Sequence, residues 1–354
     1  MTDVSLLLPL YNTRPEILHQ ALASVDEQTY PLDRIQVCVY DDGSAPEYKE
    51  GYQTLDLDGY DVEIVWSEAE ENRGLSHARN RAASNADGEY YLLLDSDDVL
   101  DPRAVEVAVE TFEDHPNADL LYSDNVKFTW PDLDLYQFRK KHVYARWLEE
   151  FKNTRYDPIF QASFVVGLLG MRAETFDAMG GYTEEIDVGE DIDFLVRAHA
   201  LAEANTFVHV PDVLYFRRHS EESLSRRRQD ELHDNSAEAM LEAAEKSGLD
   251  VSGIEYFDRL DPYRVSHYFL LDADGEPIVP PYVDRERSRL EGTSETVASL
   301  RREWKEEIKP RLEGVLERSR EKNPPREENP LREKSSSSER PQIRSSSGST
   351  YSGE

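Results

Sequence analysis

Cysteine is almost absent: Cys38 is the only one in 354 residues. No intrachain disulfide and no thiolate zinc cluster can form, and a reducing cytoplasm fits. Lysine is scarce as well, 10 of the 40 basic residues, against 73 acidic ones and a formal net charge of −33. With so little positive charge there is no basic groove for nucleic acid. Disorder does not explain the acidity, because 38% hydrophobic content and 19 tyrosines describe a chain that packs. An acidic, lysine-poor surface of this kind suits a high-salt cytoplasm, where ions screen self-repulsion. Long apolar runs are missing too. The longest nearly apolar stretch, Phe164 to Met171, is far too short to span a bilayer. The opening Met1-Thr2-Asp3-Val4 has no basic region ahead of its apolar residues. The expectation is a cytoplasmic protein, or one peripheral on the cytoplasmic face of the cell membrane.

What is present alternates. Val4 to Leu8 is a short apolar run of the buried-strand kind, and Ile17, Leu18, Ala21, Leu22 and Val25 then recur at helical spacing over Pro15 to Gln28. Further apolar runs at Ile35–Val39, Val62–Trp66 and Tyr90–Leu94 enclose a helical pattern from Leu75 to Ala86. This order predicts a Rossmann-like, mostly parallel central sheet flanked by helices, with ligands gathering where strands end. Asp101-Pro102 opens a helix, Asp119–Tyr122 reads as a strand, and Asn125 to Pro158 has no clean period. Helices follow at about Ala173–Met179 and Asp191–Glu203, a strand at Thr206–Val210, a charged helix over Ser220–Ser247 and helical spacing over Thr293–Arg318. From Glu321 on, proline, serine and charge dominate, which predicts a disordered tail.

Strand ends carry the chemistry. Asp95-Ser96-Asp97-Asp98 puts three carboxylates into four residues directly after an apolar strand. Such a cluster is repulsive unless neutralised, and Mg²⁺ or Mn²⁺ would do this while leaving sites for phosphate oxygens and water. A solvated helix-capping turn is the plain alternative. Asp41-Asp42-Gly43-Ser44 ends the second strand and has the composition of a β-turn. Glu190-Asp191 begins a helix, where acidic residues are favoured by the dipole alone. No Gly-x-Gly-x-x-Gly follows the first strand, which runs instead into Pro9-Leu10-Tyr11-Asn12, so the dinucleotide fingerprint of an oxidoreductase is missing.

Leu8-Pro9-Leu10-Tyr11-Asn12, Val39-Tyr40-Asp41-Asp42-Gly43-Ser44, Asn72-Arg73-Gly74-Leu75-Ser76-His77-Ala78-Arg79-Asn80 and Leu94-Asp95-Ser96-Asp97-Asp98 together resemble the family 2 glycosyltransferases of GT-A fold. Gly180-Gly181-Tyr182 and Gly189-Glu190-Asp191 continue the pattern in order. The resemblance covers about residues 4–220. Joined to the acidic composition, it points to a halophilic archaeon as the source.

The resemblance implies roles. Pro9, Tyr11 and Asp42 would hold the nucleobase and ribose, a carboxylate at Asp42 being able to accept from an imide N–H. Arg73 and Arg79 would contact the phosphates or position the donor-binding turn, and His219, in Arg217-Arg218-His219-Ser220, would bind phosphate or metal. Asp95 would lie nearest the donor sugar or ribose, with Asp97 and Asp98 as candidate metal ligands that the sequence does not separate. Asp191 would be the general base, assisted by Glu190, and a single displacement would invert the anomeric carbon. The chain is thus expected to be a metal-dependent hexosyltransferase moving a sugar from a nucleotide-diphosphate donor, UDP-sugar favoured, to a lipid-linked or polymeric glycan. A dolichol-phosphate hexose synthase is the alternative within the family, and an inactive glycan-binding or scaffold protein is the alternative outside catalysis. The layout is a glycosyltransferase domain over 1–220 with its donor-binding half at about 1–100 and its acceptor half at about 101–220. A helical and irregular extension over 221–320 and a disordered tail over 321–354 complete it.

Overall fold

The computed structural model describes residues 3–139, 168–186, 188–201, 207–220, 227–246, 250–259, 265–275, 299 and 301–322. These all belong to the first of two units into which the chain divides, Met1–Asn323, and the second, Pro324–Glu354, lies outside the described residues. The tail expected from Glu321 on is therefore described only to Lys322, where it is still helical. Most of the stretch from Asn125 to Pro158, and the start of the helix expected at Ser220, also lie outside them.

Strands β1 (Val4–Leu10), β2 (Ile35–Asp41), β3 (Glu63–Glu68) and β4 (Tyr90–Leu93) are parallel, in the order β3-β2-β1-β4. Helices α1 (Pro15–Asp26), α2 (Pro46–Tyr52) and α3 (Leu75–Ala83) connect them. Every residue of β1 is buried, as expected for a strand covered on both faces. Alternation sorts its side chains: Leu6 and Leu8 join a core with Leu18 and Leu22 of α1, while Leu7 joins a second core with Ala78 and Ala82 of α3.

Beyond β4 the sheet becomes mixed, through β5 (Val99–Leu100), β6 (Leu120–Phe128), β7 (Leu135–Arg139), β8 (Leu169–Arg172) and β9 (Phe207–Arg218). Strand β8 lies antiparallel between β4 and β6, and β9 runs parallel to β6 and antiparallel to β5. The close seat of β8 depends on Gly170, where a Cβ would come within 2.7 Å of Leu92 and 3.0 Å of Leu121. Helix α4 (Ala104–Asp114) starts two residues later than Asp101-Pro102 implied, because the buried Asp101 carboxylate turns to accept the Arg103 N–H at 3.1 Å. The irregular stretch expected from Asn125 begins instead with strand, since β6 runs on to Phe128 and pairs with β7.

Helices α5 (Ala173–Met179), α6 (Glu190–Leu201) and α7 (Gln229–Lys246) share the second core, and β10 (Gly253–Arg259) pairs with β11 (Val265–Leu271) as a separate hairpin. A helix from residue 301 has a π-helical turn at Trp304–Ile308 and continues as α8 (Lys309–Lys322). Its Trp304, Ile308, Leu312, Val315 and Leu316 form a third core with Val99, Val126, Phe128, Val213 and Phe216. Arg318 pairs with Glu27 and Lys322 with Asp26, which fasten α8 to α1. Among the described residues no helix is long and apolar enough to cross a membrane.

Candidate active site

The carboxyl ends of β1, β2 and β4 bring three turns together. After β1, Asn12 takes a left-handed conformation (φ 51°), which asparagine tolerates better than most residues. Its backbone N–H donates to Ser44 Oγ at 2.9 Å and its Oδ1 accepts from the Ala45 N–H at 2.8 Å, stapling the first turn to the second. The Thr13 and Ser96 hydroxyls meet at 2.7 Å and join the first turn to the acidic one.

Asp42 is 1% exposed, and its Oδ2 accepts the N–H groups of Arg73 (2.8 Å) and Gly74 (2.7 Å). It thus holds the loop that precedes α3. That loop passes so close to Gly43 (φ +73°) that a Cβ there would lie 2.5 Å from the Glu71 carbonyl carbon. Pro9 is buried inside β1 opposite Tyr40, whereas Tyr11 is 50% exposed at the edge. Arg73 is also exposed, 3.5 Å from Glu184.

In the acidic turn the four residues divide their tasks. The Asp95 N–H donates to the Tyr215 hydroxyl at 3.0 Å. Asp98 is buried, and its Oδ1 accepts the Arg218 N–H at 2.7 Å. Arg218 also donates Nε–H to the Asp97 carbonyl at 2.8 Å and Nη2–H to Gln20 at 2.8 Å. Burial, then the Asp95 charge, raises the Asp97 carboxyl, and burial with the Asp97 and Asp95 charges raises Asp98 well above the ordinary range. A cation beside this turn would relieve both. Among the described residues no three His, Cys, Asp or Glu side chains are grouped to hold a metal. Asp95 and Asp97 are half-buried while Asp98 is buried; with Asp95 held by Arg79 and Asp98 by the Arg218 N–H, the Asp97 carboxylate fits an ion that draws its other oxygens from diphosphate and water.

The second carboxylate centre is joined to the first by Arg79. Its side chain is 7% exposed, with Nη1 2.6 Å from Glu190 and Nη2 3.1 Å from Asp95. Its guanidinium also lies over the Tyr182 ring, 5.2 Å from the centroid. These contacts link the two carboxylate centres through a single side chain. Burial pushes Glu190 up to about 7 against the pull of Arg79, and the Asp191 charge adds to the rise. Asp191 is exposed at the first turn of α6. The turn before it is supported from α7, where Asn235 Nδ2 donates to the Val188 carbonyl at 2.8 Å.

One site residue was not singled out by sequence. Burial works against the Arg217 charge, but Asp98, Asp95, Tyr215 and Asp191 outweigh it and hold the guanidinium above its ordinary value. In β9 Arg217 lies two residues beyond Tyr215, whose hydroxyl accepts the Asp95 N–H. Strand alternation was the available signal, since it puts Arg217 on the face of Tyr215. His219, by contrast, sits at the edge, its ring stacked on Tyr136 at 3.7 Å and its N–H donating to the Phe128 carbonyl at 2.8 Å.

Residues 5–169 match the sequence profile of Glycosyl transferase family 2. The putative glycosyltransferase EpsH of Bacillus subtilis is 29% identical over 280 residues, which cover 75% of this chain and 74% of that one. The uncharacterized protein y4gI of Sinorhizobium fredii is 26% identical over 298 residues, 84% of this chain, and this chain spans only 31% of its length. Among solved structures, the mannosyltransferase PcManGT from Pyrobaculum calidifontis, in complex with GDP-Man and Mn²⁺, is similar with a TM-score of 0.51. At 20% identity, over 71% of this chain and 65% of that one, the likeness is one of fold, and the fold is GT-A.

Proposed function

With residues 5–169 a family 2 glycosyltransferase domain, we propose that the chain moves a sugar from a nucleotide-diphosphate donor to a hydroxyl of a lipid-linked or polymeric glycan. The observation that carries the reading is the Arg79 bridge, which ties Asp95 to Glu190 and so sets the base-bearing helix against the acidic turn. A UDP-sugar is the favoured donor, on the carboxylate at Asp42 beside the exposed Tyr11. The place of action is the cytoplasm, at the inner membrane face when the acceptor is lipid-linked.

Asp97 is the metal ligand in this reading, because Asp95 is engaged by Arg79, whereas Asp98 acts as a strut to Arg218. Asp97, together with the diphosphate, would hold a Mg²⁺ or Mn²⁺ ion, whose contribution when bound would be Lewis acidity. Asp95 and Arg79 orient the donor, and Arg217 adds positive charge near the diphosphate. Asp191 takes the proton of the acceptor hydroxyl as its oxygen attacks the anomeric carbon, the bond to the diphosphate oxygen breaks, and one displacement inverts the centre. Glu190 acts through Arg79 to keep Asp191 in place.

Two variants test this. Asp191→Ala should lose turnover by on the order of 10²- to 10⁴-fold while binding UDP normally, whereas Asp97→Ala should lose turnover together with Mn²⁺-dependent UDP binding. Full turnover in Asp191→Ala would sink the base assignment. A screen of UDP-, GDP- and dTDP-sugars by thermal shift, with and without Mn²⁺, tests the donor.

A further inference from the structure

Arg218 makes its polar contacts with the acidic turn and with α1. Its backbone N–H holds the Asp98 carboxylate, its Nε–H holds the Asp97 carbonyl, and its Nη2–H reaches Gln20. The remaining Nη1 has no hydrogen-bond partner among the described residues. Aromatic faces hold that guanidinium instead: Phe128 at 5.1 Å and, closer, Trp130 at 4.7 Å from the ring centroid. Trp130 lies in the turn between β6 and β7, closed by Thr129 N–H to the Asp134 carbonyl at 2.9 Å. It packs against the third core, whose members from the C-terminal helix are Trp304, Ile308, Leu312, Val315 and Leu316. Arg320 of α8 also stands over its ring, at 5.8 Å. The same helix reaches the far end of the acidic turn through Arg311, which pairs with the buried Asp101.

We propose that Trp130 is a positioning residue for the donor turn, through which α8, far beyond the residues that match the family, sets Arg218 and with it Asp97 and Asp98. A planar guanidinium on an indole face keeps its orientation when its hydrogen bonds are few, and the contact strengthens as water is excluded. Helix α8 backs that ring, so the packing of residues 304–316 is transmitted by one aromatic plane to the Arg218 guanidinium, and through its Nε–H to the Asp97 backbone carbonyl. The inference rests on the reading of Asp97 as a metal ligand.

The test uses the full chain and measures UDP binding by calorimetry across a Mn²⁺ series, with melting temperature recorded in parallel. Trp130→Leu should raise the Mn²⁺ concentration for half-maximal binding by about tenfold to thirtyfold. Trp130→Phe, which keeps a weaker ring face, should raise it by about twofold to fivefold. Arg218→Lys should give a shift that combines with Trp130→Leu to less than the product of the two, because both remove one interaction. Val109→Ala in α4 sets the comparison: it should lower the melting temperature without moving the Mn²⁺ curve. A Trp130→Leu protein that melts lower yet keeps the wild-type Mn²⁺ curve overturns the proposal. If Trp130→Leu does not fold, a wild-type curve for Trp130→Phe overturns it. If wild-type protein binds UDP without regard to Mn²⁺, the parent reading of Asp97 fails and this one falls with it.

Discussion

Arg79 has exchanged almost all of its water for two carboxylates and an aromatic face. A buried guanidinium is tolerated only when paired, and removing one partner is costly because the other charge remains buried. Glu190 is the partner that titrates near neutrality, since burial raises it from 4.5 to about 7. The sign follows from linkage: a carboxyl whose folded value lies above its unfolded one contributes stability that is fully present below the unfolded value and is lost as pH rises through the folded value. The stability of wild type relative to Glu190→Gln should therefore fall between about pH 4.5 and pH 7 and level off above it. Urea unfolding of both proteins at half-unit pH steps checks this, and a difference that is flat or grows with pH would be evidence against the raised value. The Arg79–Glu190 pair is separated by 111 positions, so no local spacing could have disclosed it.

At the scale of elements, the support for the base-bearing turn comes from α7, a helix with no catalytic candidate of its own. Asn235→Ala removes the donor to the Val188 carbonyl, at a cost of about 1 kcal/mol. Turnover should drop several-fold while UDP affinity holds, because the turn precedes Asp191, which in the proposed function takes a proton and does not bind the nucleotide. Equal losses in both would show that α7 serves the donor side too. The parallel strands and their helices were readable in advance because short apolar runs alternated with helical spacing. Their ends moved by a few residues where side chains intervened, as Asp101 does before α4. Strand β6 was read only to Tyr122 because Asp124 and Asn125 resemble loop residues, yet both are buried, and Asp124 accepts from His209 at 2.8 Å. The strand pairing of β8 was hidden for another reason: Gly170 is there to fit between Leu92 and Leu121, and both are distant in sequence. Motif order singled out Asp42, Asp95, Asp97 and Asp191 as candidates, but the bond from the Arg218 N–H to Asp98, 120 positions away, was not legible in it.

For the whole molecule, charge dominates the dependence on surroundings. At a net charge of −33 the folded chain repels itself over distances that salt shortens, with a Debye length of about 10 Å at 0.1 M and about 3 Å at 1 M. Exposed ion pairs are screened by the same salt, but each contributes only about 0–1 kcal/mol, so relief of repulsion wins. The melting temperature should climb by several degrees between 0.1 and 2 M KCl, measured by scanning calorimetry. A flat or falling profile would contradict both the electrostatic argument and a high-salt habitat.

The sheet itself has a mechanical consequence. Strands β1, β4, β8, β6 and β9 hydrogen-bond edge to edge without a break in the ladder. Among the described residues, a sheet joined in this way offers no hinge about which two lobes could swing. In the proposed function, substrate entry and product exit would then fall to segments outside the sheet. Turnover should respond to changes in loop residues and be indifferent to the lobe closure that paces many two-domain enzymes.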